Sequence, residues 1–144
     1  SSIFNKLSNP LENYLNKFST CNGLEISPLL DFLRNLVRLK NETNLNDLQL
    51  YEILPSYCTP PLVTKILESK HKGLSINMLH LELVQTFIPI TLREKLKQDL
   101  VYRPQLPQEP LSLYINDVKT NNEVLKSGLG ERELVSFIKN GINP

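Results

Sequence analysis

The chain has 144 residues, 40% of them hydrophobic and 22% charged, with a net charge of +1. That is too apolar for a disordered segment and too neutral for a dedicated nucleic-acid-binding domain, which carries a concentrated basic patch. Trp is absent and aromatics make up 7%, so a core has to come mainly from Leu, Ile and Val, in one ordinary domain or two small helical lobes.

In chain order, Asn9 and Pro10 read as a cap and first-turn proline for a helix carrying Leu11, Tyr14, Leu15 and Phe18. Residues 19–23 read as a turn. Ser27 as cap and Pro28 at the first position open a helix with Leu29, Leu30, Phe32, Leu33, Leu36, Val37 and Leu39, a stripe wide enough to be largely buried. A short helix is expected from Asn46 to Leu54, stopped by Pro55. Thr59-Pro60-Pro61 opens the next, with Leu62, Val63, Ile66 and Leu67, closed by Lys70-His71-Lys72-Gly73.

Ser75 begins a helix that Pro89 ends. Thr91-Leu92-Arg93-Glu94 spells a capping box for the helix after it. Pro104 and Pro107 bound a linker. Two further helices are expected at about Pro110–Lys126 and Glu131–Asn140, the latter bracketed by Gly130 and Gly141 with Glu131 and Glu133 in its first turn. No segment alternates like a strand. The expectation is an all-α chain of about eight short helices.

Chemistry-bearing motifs are few. Cys21 and Cys58 are far apart in sequence with no CxxC spacing, which suggests neither a zinc site nor a disulfide framework but two buried or half-buried free thiols. His71 reads as a solvated capping cation and His80 as a polar or half-buried helix position. Neither has a metal partner at helical spacing. There is no Gly-rich phosphate loop and no nucleophile elbow. No enzyme activity, cofactor or metal is expected. Arg93, Lys95, Lys97 and Arg103 cluster but are diluted by Glu94 and Asp99. They read as a solvated helix face, with Arg93, Lys97 and Arg103 the candidate contacts to another subunit or to RNA. No apolar run reaches the roughly 18 residues of a membrane span and no signal peptide opens the chain. The start at Ser1-Ser2 without Met suggests a piece of a longer polyprotein.

From Phe87 onward the residues are more specific. The stretch F-I-P-I-T-L-R-E-K-L-K-Q-D-L-V-Y-R-P-Q is followed by Glu109-Pro110-Leu111, by Y-I-N-D-V-K, and by L-G-E-R-E-L-V-S-F-I-K-N-G-I-N-P. This pattern resembles the Gag capsid region of Ty3/Gypsy-type long-terminal-repeat retrotransposons. Gln105, Glu109, Tyr114, Ile115, Glu131, Glu133, Val135, Ile138, Gly141 and Pro144 stand at the motif positions, with Ile142 in place of the usual Leu. The first half is similar more loosely, through N-K-F-S-T-C-N-G-L-E-I-S-P-L-L-D-F-L. The helix at Thr59–Leu67 lacks the family's usual Trp.

The resemblance implies two small helical lobes of retroviral-capsid type, similar in plan to the neuronal Arc protein. Residues 1–14 would be an N-terminal extension, 15–88 the N-terminal lobe and 89–144 the C-terminal lobe. The family's second lobe continues for one or two helices past the Gly-x-x-Pro, so this lobe is expected to be either incomplete at Pro144 or shorter than the family's. The implied function is a cytoplasmic structural protein that self-assembles as dimers and shells around retrotransposon RNA, gripping the RNA through regions outside this segment and touching no membrane. Tyr114, Val118 and Leu125 would build the second lobe's core. The alternative is a domesticated capsid-like module that binds peptides in an apolar groove of the first lobe, lined by Phe18, Leu24 and Ile26. A third reading, an unrelated helical regulator, needs a helix with a basic face that the sequence does not offer.

Overall fold

The structure is a computed structural model and describes residues 10–144. Asn9, the expected first cap, lies outside them, as does most of the expected N-terminal extension. The described elements are helical: a segment at residues 10–15, then α1 (Ile26–Glu42), α2 (Asp47–Ile53), a 3₁₀ turn (Leu54–Tyr57), α3 (Leu62–His71), α4 (Ile76–Phe87), α5 (Ile90–Leu100), α6 (Leu111–Val124) and α7 (Glu131–Gly141). No strand occurs among the described residues. The extended pairing there is a one-residue parallel bridge between Cys21 and Cys58. The fold is all-α. No helix among the described residues is long and apolar enough to cross a membrane.

The chain divides into two compact units, the first ending at Leu83 and the second running Val84–Pro144. The division therefore falls inside α4, N-terminal to the expected lobe boundary at Pro89. It runs through a continuous helix rather than at the proline that follows it.

In the first unit, the apolar stripe of α1 does what its spacing dictates. Leu29, Leu30, Phe32, Leu33, Leu36, Val37 and Leu39 are all buried. The expected cap is corrected. α1 starts at Ile26, with the extended Glu25 before it and no side-chain cap. Pro28 thus sits in the first turn, where its missing N–H has no helical partner to lose. Ahead of it, Asn22 Oδ1 accepts from Leu24 N at 2.9 Å and turns the chain.

α2 carries a reciprocal capping box. Gln49 N donates to Asn46 Oδ1 and Asn46 N donates to Gln49 Oε1, both at 2.9 Å. The α-helix ends at Ile53, just ahead of Pro55 as expected, and Pro55 then lies in the first turn of the 3₁₀ segment Leu54–Tyr57. That turn packs with α2 and α3. Tyr51 is buried from α2, and its hydroxyl donates to Leu74 O at 2.9 Å. α3 closes at Gly73 with φ +71°, a conformation glycine adopts without strain. Lys65 on α3 and Glu82 on α4 form a 2.8 Å ion pair, and Ser75 Oγ accepts from Met78 N at 3.2 Å to cap α4. His80, expected at a half-buried position, is fully buried.

In the second unit, α6 packs against both α5 and α7. Tyr114, Val118, Val124 and Leu125 are buried along α6 and its end, and Leu134 and Ile138 are buried on α7. The expected Thr91–Glu94 capping box is absent. α5 starts earlier, because Pro89 with φ −55° opens it and Pro89 O accepts from Arg93 N at 2.8 Å. Thr91 is then already helical, and Glu94 pairs with Lys97 at 3.2 Å instead. Gly141 is the last helical residue of α7 rather than a bracket beyond it.

Candidate functional site

The linker between α5 and α6 holds a dense polar network. Its centre is Arg103. Nη1 and Nη2 donate to the two carboxylate oxygens of Glu109 at 2.8 and 2.7 Å, a two-pronged pairing that suits a planar guanidinium. Nη2 also donates to Asp117 Oδ2 on α6 at 2.8 Å. Asp117 in turn accepts from Asn121 Nδ2 at 3.2 Å, one helical turn on, and the same amide reaches Leu100 O at the end of α5, also at 3.2 Å. The guanidinium lies 5.2 Å from the centre of the Tyr114 ring. The Tyr114 hydroxyl donates to Arg103 O at 3.0 Å.

Gln105 ties this linker to the end of α7. Its backbone N–H donates to Gly141 O at 2.8 Å, its Nε2 to Glu109 O at 2.8 Å, and its Oε1 accepts from Asn143 N at 2.9 Å. Asn143 Nδ2 adds a bond to Leu106 O at 3.1 Å. Gly141 is needed at that closure. A β-carbon there would collide with the Tyr114 hydroxyl and come within 3.2 Å of Pro104 Cα.

The electrostatics follow from the geometry. The Arg103 guanidinium, and next the Leu106 N–H, hold the Glu109 carboxyl down at about 2. The paired hydrogen bonds to Glu109, followed by the one to Asp117, make Arg103 harder still to deprotonate. Burial pushes the Tyr114 phenol up. An arrangement this fully committed within one chain serves as a joint: it fixes an irregular segment against two helices.

Of the motif positions, the fold brings Gln105, Glu109, Tyr114 and Gly141 together at this joint. Ile115 is half-buried on α6. Glu131 and Glu133 stand exposed in the first turn of α7, Val135 is partly exposed on that helix, and Pro144 is exposed beyond it.

Three candidate contact residues have partners within the second unit. Arg103 was expected to reach outward from a basic face, but its side chain is 17% exposed and turned onto Glu109 and Asp117. Arg93 donates through Nε to Ile88 O at 2.9 Å. Lys97 pairs with Glu94, its side chain 20% exposed. The second unit's exposed side chains also include apolar ones, among them Leu106, Leu113 and Phe137 at 58, 60 and 42% exposure. Phe137 stacks on Tyr102 with ring centres 4.7 Å apart.

The groove residues also separate. Phe18 is a core residue, stacked on Tyr57 at 5.0 Å and edge-on to Phe32 at 5.6 Å. Leu24 is exposed and Ile26 half-exposed. The burial of Phe18 removes it from any open wall.

Asp117 and Asn121 were missed as joint residues. Their signal was present, since Tyr114, Asp117 and Asn121 recur at helical spacing on one face of α6. The neighbouring placement of Cys21 and Cys58 was also missed, and no local signal announces it. Among the described residues no group of His, Cys, Asp and Glu could hold a metal ion. No family model, curated protein or solved structure significantly matches the chain.

Proposed function

We propose that this chain is a structural capsid-type module, similar to the Gag capsid region of Ty3/Gypsy-type retrotransposons, and that copies of it associate through helix faces into a shell. One observation carries the reading. Four residues at the spaced motif positions, Gln105, Glu109, Tyr114 and Gly141, meet in a joint that orders a linker. A motif whose residues serve folding fits a building block better than a catalyst. The all-helical, two-unit plan agrees with it.

In this reading the contacts are made by exposed apolar side chains of the second unit, with Leu113 and Phe137 foremost, rather than by Arg103. Each contact is weak, and repetition across many copies multiplies it. Packaged RNA, in the cytoplasm, is gripped by segments other than this one.

The test is solution mass by light scattering against protein concentration and salt, with electron microscopy of the most concentrated sample. Dimers growing into shells or tubes, and their loss in Leu113→Asp with an unchanged melting temperature, are the expected results. A chain that stays monomeric at every concentration and salt, alone and with its flanking sequence attached, sinks the proposal.

A further inference from the structure

Cys21 lies ahead of α1, and Cys58 closes the 3₁₀ turn. Cys21 N donates to Tyr57 O and Thr59 N donates to Cys21 O, each at 2.9 Å, so Cys58 sits between the two bonds. The resulting parallel bridge sets the cysteines directly opposite each other. Chains paired this way run about 4.8 Å apart, inside the Cα separation of roughly 4.4–6.8 Å that a disulfide spans. Directly opposed residues also project from the same face of the pair. Both thiols are free and buried, at 3 and 9% exposure. The Cys58 thiol is pushed up to about 12, first by burial and then by the charge of Cys21, an electrostatic sign of their closeness.

We propose that Cys21 and Cys58 form a reversible dithiol–disulfide site, oxidised within one chain by exchange with a low-molecular-mass disulfide of the glutathione type. The thiolate of one cysteine attacks a sulfur of the small disulfide, whose S–S bond breaks and releases one small thiolate. The second cysteine then attacks the protein sulfur of the mixed disulfide and expels the other small thiolate. Two protein thiols and one small disulfide become one protein disulfide and two small thiols, which carry away both protons. The two electrons given up by the cysteine sulfurs reduce the small disulfide. Burial makes the step depend on local opening of the bridge. Once formed, the bond fastens the segment that leads into α1 onto the 3₁₀ turn.

The full chain, fully reduced, is equilibrated in an oxidised/reduced glutathione buffer, both from the native state in sub-denaturing urea and by refolding from the unfolded state. Both routes should end with no free thiol, a mass lower by two hydrogens, and a peptide map linking residues 21 and 58. The melting temperature should rise by about 10 °C and return with dithiothreitol. Cys21→Ser should show no such rise. Two persistent thiols from both routes, glutathione adducts as the end state, disulfides between chains, or a linked chain that melts lower than the reduced one would each overturn the proposal.

Discussion

The Tyr114 hydroxyl occupies the space into which a β-carbon on residue 141 would project. The end of α7 therefore seats on α6 only because residue 141 is glycine. Gly141→Ala should destabilise the protein by about 1–3 kcal/mol, the usual range for an extra methyl in a filled site. Tyr114→Phe, which gives up the bond to Arg103 O, should cost about 1 kcal/mol alone. In the Tyr114→Phe background, the alanine should cost less than in wild type. Urea denaturation of the four proteins closes this cycle, and strict additivity would contradict the shared space.

Arg103 should prove a folding residue. Arg103→Ala strands Glu109 and Asp117 as neighbouring carboxylates without their cation. The melting temperature should drop by about 5 °C. Arg103→Lys should recover only part of the loss, because an ammonium cannot serve both oxygens of Glu109 and Asp117 with a planar fork. Calorimetry distinguishes this from a surface contact, for which neither substitution would move the transition.

The joint carries an acid dependence. The folded Glu109 carboxyl sits at about 2, below its ordinary value of 4.5. The unfolded chain therefore binds this proton first, and the contribution of Glu109 is complete above pH 4.5. It fades as pH falls from 4.5 toward 2. The stability difference between wild type and Glu109→Gln should accordingly be flat from pH 5 to 8 and shrink below pH 4.5. A difference that grew on acidification would refute the Arg103–Glu109 pairing.

Thiol chemistry should be slow in the folded state. With Cys58 held near 12 and Cys21 also raised by burial, little thiolate exists at pH 8. Iodoacetamide should label both cysteines rapidly in urea and neither rapidly in its absence. Fast native labelling of Cys58 would mean that the bridge segment is open.

Much of the architecture could be read from residue spacing, and the failures share a cause. The stripe of α1 follows from helical period, since each helix must hide one face, and Tyr114, Val118 and Leu125, expected as core beside the resemblance, are buried. The capping motif at Thr91 misled because a proline two residues earlier had already fixed the helical entry. Arg103, Lys97 and Arg93 looked like one basic face while only their own segment was in view. Arg103's partners are set by how a linker folds back and Arg93's by where the preceding helix ends, while Lys97 pairs within its own helix with Glu94. Phe18 likewise reads as the end of a helical stripe and a groove wall until Tyr57 and Phe32 meet it. Cys21 and Cys58 pair through loops whose meeting has no periodic signature. The candidate joint was thus half legible: its members Gln105, Glu109, Tyr114 and Gly141 were named by motif, while their shared task emerges only in three dimensions.

The linker between α5 and α6 is rich in proline and has no regular structure, yet several of its amides have acceptors. Gln105 N bonds to Gly141 O, Leu106 N to a Glu109 carboxylate oxygen at 3.0 Å and Glu109 N to Leu106 O at 3.1 Å. These protons should exchange with deuterium on the timescale of the flanking helices rather than that of a loose loop, so the segment that looks most like a hinge would open only when its whole unit does.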